Sequence, residues 1–149
     1  GAIGCALSHL RVWEKTAELP DRSAVTVVFE DDIERLTVNF DTKLAGALAL
    51  LRSPQHNWDL CYLGHFRRPP GAERCTTSHA NGLRRVIGRV YGLFAYVISR
   101  DGARNLLKWR QRGRSPIAVL PLSAQIDCAL AAKHTVAHLL VTNPLFGTL

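Results

Sequence analysis

The chain has 149 residues, 47% of them hydrophobic and 21% charged, the length and makeup of one globular domain with its own core. No apolar run approaches the roughly 20 residues that cross a bilayer, and no basic-then-apolar leader is readable, so no transmembrane segment is expected in this chain. The formal charge of +7 suits an anionic small substrate or an acidic surface, but the aromatic residues fall inside apolar runs rather than between basic ones, so nucleic acid is not expected as a partner.

Ile3, Ala6, Leu7, Leu10, Trp13 and Ala17 recur at helical spacing, which predicts an amphipathic helix over 3–18. Gly1 and Gly4 leave room for a close approach near its start. The β-branched run 25–29 predicts a strand buried on both faces that ends abruptly in Glu30, Asp31 and Asp32. Strands of α/β proteins deliver polar residues at the carboxyl edge of the sheet, where ligands bind. Adjacent carboxylates repel one another unless a cation sits among them, and hard ions such as Mg²⁺ or Mn²⁺ take such oxygen sites. The other reading of the same acids is a turn capping the next helix.

A second helix is expected over 40–52, with Phe40, Leu44, Leu48 and Leu51 inward and Asn39 or Asp41 near its cap. A strand over 58–64 leads into a turn at Gly64. Residues 65–83 show no apolar periodicity and read as a long binding loop or lid. Strands are expected over 85–90 and 93–98, then a helix over 103–111 capped by the preceding Ser99-Arg100-Asp101-Gly102. A short helix over 126–132 and a last strand over 135–141 complete the alternation, and the class is α/β. Cys5, Cys61 and Cys128 lie in apolar segments and read as small core residues, while Cys75 sits in a polar loop. Neither a metal-ligand spacing nor a disulfide pattern is present, and the cysteines leave the compartment open.

Four blocks in order carry a further signal: residues 1–10 (Gly-Ala-Ile-Gly-Cys-Ala-Leu-Ser-His-Leu), 28–32 (Val-Phe-Glu-Asp-Asp), 58–64 (Trp-Asp-Leu-Cys-Tyr-Leu-Gly) and 95–104 (Ala-Tyr-Val-Ile-Ser-Arg-Asp-Gly-Ala-Arg). Together they resemble glycosyltransferase family 25, which includes bacterial lipopolysaccharide galactosyltransferases and procollagen galactosyltransferases. The resemblance implies a GT-A-like nucleotide-sugar transferase fold with a mixed, mostly parallel sheet over residues 1–149. It also implies that a first strand and helix, which help bind uridine in the family, are lacking, and the absence of an initiator Met agrees with a partial domain. It further implies a UDP-sugar donor, with galactose the commonest sugar, and a glycan or hydroxylysine-type acceptor. The compartment implied is the secretory lumen in a eukaryote, or the cytoplasm or membrane periphery in a bacterium.

The same resemblance assigns candidate sites. Asp32 is the first choice for contact with Mn²⁺ or Mg²⁺, with Asp31 as second ligand, and Glu30 and Asp31 are candidates for ribose and sugar hydroxyls. Ser8 and His9, early in the first helix, are candidates for binding the donor phosphate. Asp127 matches the late acidic block of the family, without its preceding proline, and is the candidate general base of an inverting transfer. His65 is placed to reach the cleft, His138 is a further metal candidate, and Arg100 or the Arg84-Arg85 pair is read either as holding a diphosphate or as surface charge. Two other classes compete: a metal-dependent phosphohydrolase using the same acids, and an inactive fragment or basic module that only binds.

Overall fold

Helices and strands alternate along the described residues, which in this computed structural model are 1–31, 33, 37–53, 57–65, 76–80, 83–88, 90–112 and 139–141. Helix α1 spans Ala2–Ala17, β1 Val25–Phe29, α2 Phe40–Leu51, β2 Leu60–Tyr62, β3 Thr76–Ala80, β4 Leu83–Val86, β5 Ala95–Ser99, α3 Arg100–Arg112 and β6 Leu139–Val141. The periodicity of residues 3–18 and 40–52 thus becomes helix within a residue of either end. A Cβ at Gly1 or Gly4 would meet nothing within 4 Å, so the close approach expected at the start of α1 is absent among the described residues.

The strands form one mixed sheet in the order β1-β5-β2-β6-β4-β3. Strand β5 runs antiparallel to both β1 and β2, β2 and β6 are parallel, and β4 is antiparallel to β6 and to β3. Mixed α/β is what the alternation predicted, but a mostly parallel sheet is not what forms. Strands β1, β2, β6 and β3 do point the same way; β5 and β4 point the other way and are interleaved among them, so only the β2–β6 pairing is parallel.

Alternation along each central strand divides the core into two layers. Leu60, Tyr62, Tyr96 and Ile98 face one side, where Leu10 and Trp13 of α1 and Ala103 and Leu106 of α3 cover them. Cys61, Leu63, Ala95 and Val97 face the other, where α2 presents Leu51 with Phe40, Leu44 and Leu48 around it. The larger aliphatic side chains among them, such as Leu60, Val97 and Ile98, each contribute roughly 1.5–3 kcal/mol relative to exposure. Arg104 of α3 donates through Nε to the Ala17 carbonyl at 2.9 Å, closing the end of α1 against α3.

Two elements depart from the sequence reading. Strand β1 is an edge strand rather than one buried on both faces: its Val25–Val28 stretch is half-buried and Phe29 is 44% exposed, and among the described residues only β5 pairs with it. The stretch read as a structureless loop over 65–83 contains β3, which pairs with β4 at the far edge of the sheet. Polar side chains suit an edge strand, so no apolar alternation marks it. The segment expected to form a helix over 126–132 lies outside the described residues.

Candidate functional site

At the carboxyl end of β1 the chain leaves the sheet through Glu30, whose backbone N–H is still held by the Phe94 carbonyl at 2.8 Å. Its side chain is fixed as well. His9 Nε2 lies 3.1 Å from Glu30 Oε1, and the Cys5 thiol points at the same oxygen from 3.7 Å. Cys5 and His9 are four apart on α1 and therefore share a face of the helix. Behind them, His9 Nδ1 lies 2.9 Å from the Tyr96 hydroxyl, which also accepts the Trp13 indole N–H at 3.0 Å.

The donors in this chain fix one consistent direction for neutral His9. The indole N–H can only donate and the Glu30 carboxylate can only accept. Tyr96 therefore gives its hydroxyl hydrogen to His9 Nδ1, and His9 Nε2–H donates to Glu30. Burial pushes the Tyr96 phenol well above its ordinary range, against the opposing pull of the Trp13 hydrogen bond, so the hydroxyl keeps its hydrogen. The chain runs from a fully buried indole to a carboxylate that is 31% exposed. It holds Glu30 in one orientation at the sheet edge, and such pre-orientation is what a binding carboxylate needs.

The other expected site residues fall in distinct places. Asp31 follows Glu30 and is exposed, and among the described residues no lysine or arginine pairs with either carboxylate. Clustered, unneutralised oxygens of this kind suit a hard divalent ion. Asp32 and Asp127, like His138, lie outside the described residues. Ser8 is exposed on α1. Because α1 starts at Ala2, Ser8 and His9 lie beyond its first turn, where the N–H groups are already used by the helix, so a helix-terminus phosphate site does not involve them. His65 follows β2 and so sits at the same edge of the sheet as Glu30.

Arg100 sits at the opposite edge, where its N–H donates to the Ala24 carbonyl before β1 begins. Arg84 and Arg85 lie on β4, four strand spacings from β1, or roughly 19 Å, too far to touch the acids. Cys5 is exposed rather than a core residue; Cys61 is buried as expected, and its thiol is pushed up by burial.

Two of the recognisable blocks turn out to be joined to each other instead. Asp59 is buried and accepts the Asn105 side-chain N–H at 2.8 Å. Its backbone carbonyl takes the Ser99 N–H at 3.1 Å, and Ser99 Oγ accepts the Gly102 N–H at 2.9 Å, the N-cap of α3. A Cβ on Gly102 would fall 2.1 Å from the Asp59 carbonyl oxygen, so only glycine lets α3 start against β2. Tyr96, Trp13 and Cys5 escaped the sequence reading as site residues; the spacing of Cys5 and His9 on one helical face was the signal available for the last of them.

A family model described as "Glycosyltransferase family 25 (LPS biosynthesis protein)" matches residues 1–120. The chain is 38% identical over 110 residues to the cattle (Bos taurus) protein named "Probable inactive glycosyltransferase 25 family member 3", covering 72% of this chain and 17% of that one. It is 34% identical over 109 residues to procollagen galactosyltransferase 1-A of Xenopus laevis, with 72% and 17% covered. It is 33% identical over 141 residues to human procollagen galactosyltransferase 2, with 93% and 21% covered. The chain thus spans about a fifth or less of the length of these curated relatives. No solved structure matches it. Among the described residues no helix is long and apolar enough to cross a membrane.

Proposed function

We propose that this chain, which belongs to glycosyltransferase family 25, forms part of the catalytic domain of an enzyme that transfers galactose from a UDP-sugar to an acceptor hydroxyl. The observation that carries the reading is the carboxylate of Glu30, fixed by His9 at the carboxyl edge of the sheet, with Asp31 exposed beside it and no lysine or arginine on either among the described residues. Asp31 and Asp32 hold Mn²⁺ or Mg²⁺. When bound, such an ion supplies charge neutralisation for the departing diphosphate.

The remaining steps belong to the chain's own residues. Glu30 accepts hydrogen bonds from ribose or sugar hydroxyls, with Ser8 on the adjacent helix as a second polar contact. Asp127 takes the proton of the acceptor hydroxyl as its oxygen bonds to the anomeric carbon from the face opposite the UDP leaving group, which inverts that carbon. The relatives named procollagen galactosyltransferases support galactose as the sugar and a protein as the acceptor; the acceptor group is a hydroxyl of a glycan or of a hydroxylysine-type side chain.

A second reading has its own support. Relatives as similar as the cattle protein are named probable inactive, so a chain that keeps the fold and binds a nucleotide without turnover is its alternative. Calorimetric titration of UDP with Mn²⁺, with EDTA, and into Asp31→Asn and Asp32→Asn separates the cases. Binding that needs Mn²⁺ and weakens at least tenfold in either variant supports a donor site. UDP-galactose turnover then supports the enzyme, and binding without turnover the inactive relative. A folded sample that binds no UDP under any condition contradicts both.

A further inference from the structure

We propose that Cys5, His9 and Glu30 form a binding site for a thiophilic divalent cation of the zinc class, separate from the Asp31-Asp32 site assigned above. The thiol sulfur, the imidazole Nε2 and a carboxylate oxygen all lie within 4.8 Å of one another, brought together by one face of α1 and the end of β1. Four-coordinate zinc with bonds of about 2.0–2.3 Å places neighbouring ligand atoms roughly 3.3–3.5 Å apart. The observed separations, 3.1 Å from His9 Nε2 to Glu30 Oε1 and 3.7 Å from Cys5 Sγ to the same oxygen, bracket that spacing. Small shifts of exposed Cys5 and half-buried Glu30 suffice to close the site around an ion.

The donor set decides the metal. One sulfur, one nitrogen and one oxygen favour a borderline ion over Mn²⁺ or Mg²⁺, which prefer oxygen alone. Three protein ligands leave a fourth position open to solvent through the exposed Cys5 side. The chain behind His9 supplies what an imidazole ligand requires, a partner on its other ring nitrogen. Binding releases the Cys5 thiol proton, and the His9 ring proton moves from Nε2 to Nδ1. From there it donates to Tyr96 Oη, and the tyrosine hydroxyl hydrogen turns away from the ring nitrogen. Trp13 keeps donating to the same oxygen, so the ring plane stays fixed with or without the ion.

Cobalt(II) titration of the whole chain tests this, because a cysteine thiolate on cobalt gives a charge-transfer band in the near ultraviolet that oxygen sites lack. The expected result is one band-forming equivalent per chain, displaced by Zn²⁺, abolished in Cys5→Ser and weakened at least tenfold in Glu30→Gln. Both substitutions are at exposed or half-exposed positions, and circular dichroism confirms that the variants fold. Zn²⁺ raises the melting temperature of the parent and not of Cys5→Ser. Asp31→Asn leaves the band unchanged even where it removes Mn²⁺-dependent UDP binding, and Cys5→Ser abolishes the band while Mn²⁺-dependent UDP binding stays, so this site and the Asp31-Asp32 site fail separately. No band in the parent, or a band that persists in Cys5→Ser, overturns the proposal.

Discussion

Two hydrogen-bonded networks in this molecule look alike in composition and differ in where they end. One joins Asp59, Ser99, Gly102 and Asn105 and is closed: each polar group meets another at the junction of β2, β5 and α3. The other starts at buried Trp13, passes through Tyr96 and His9, and opens at the sheet edge on Glu30 and Cys5. Both draw most of their residues from the sequence blocks that resemble the family, Trp13 and Asn105 lying just outside them. The difference separates architecture from chemistry: a carboxylate buried against its partner, like Asp59, orders the fold, while one held by His9 and Cys5 on one oxygen and left partly exposed, like Glu30, is available to a ligand.

The comparison is broken most severely at the closed network. Gly102→Ala forces a methyl group into the Asp59 backbone, and the expected cost is about 3 kcal/mol, the upper end for overpacking, read as a fall in the urea midpoint. Asp59→Ala strands the Asn105 amide and should cost about 2 kcal/mol by the same measurement.

The buried half of the open network comes next. Tyr96→Phe removes the acceptor of the Trp13 N–H and the partner of His9, for about 1–2 kcal/mol. Its sign with pH is fixed: a phenol raised by burial contributes stability below about pH 10, where an unfolded tyrosine ionises, and loses it as pH rises further. Tyr96→Phe removes this contribution, so its alkaline stability profile should be flatter than the parent's. Glu30→Gln marks the smallest effect on folding, within about 0.5 kcal/mol, because that side chain is partly in water.

Much of this was legible in the sequence, and the parts that were not have physical reasons. Helical spacing places Leu10 and Trp13 in the core, and the apolar run before Glu30 marks a strand end, since burial imposes both patterns. Strand order is another matter. Periodicity reports which face is buried but not which strand lies alongside, so β5 entering between β1 and β2 leaves no local trace. The β3–β4 hairpin did have one, the Asn81-Gly82 dipeptide between the two strands, overshadowed by polar residues that carry no alternation. Tyr96 reads as core because its ring is core; only its hydroxyl takes part in the open network. Cys5 reads as core because its neighbours are apolar, although it lies exposed in the first turn of α1.

The most direct test sets the two networks against each other in one titration of UDP with Mn²⁺. Asn105→Ala, which damages the closed network, should be less stable than the parent and bind UDP equally well while folded. Glu30→Gln, at the open end of the other, should melt with the parent and bind UDP at least tenfold more weakly. If Glu30→Gln binds UDP undiminished, or Asn105→Ala loses binding while still folded, the assignment of the open network to chemistry and the closed one to architecture is wrong.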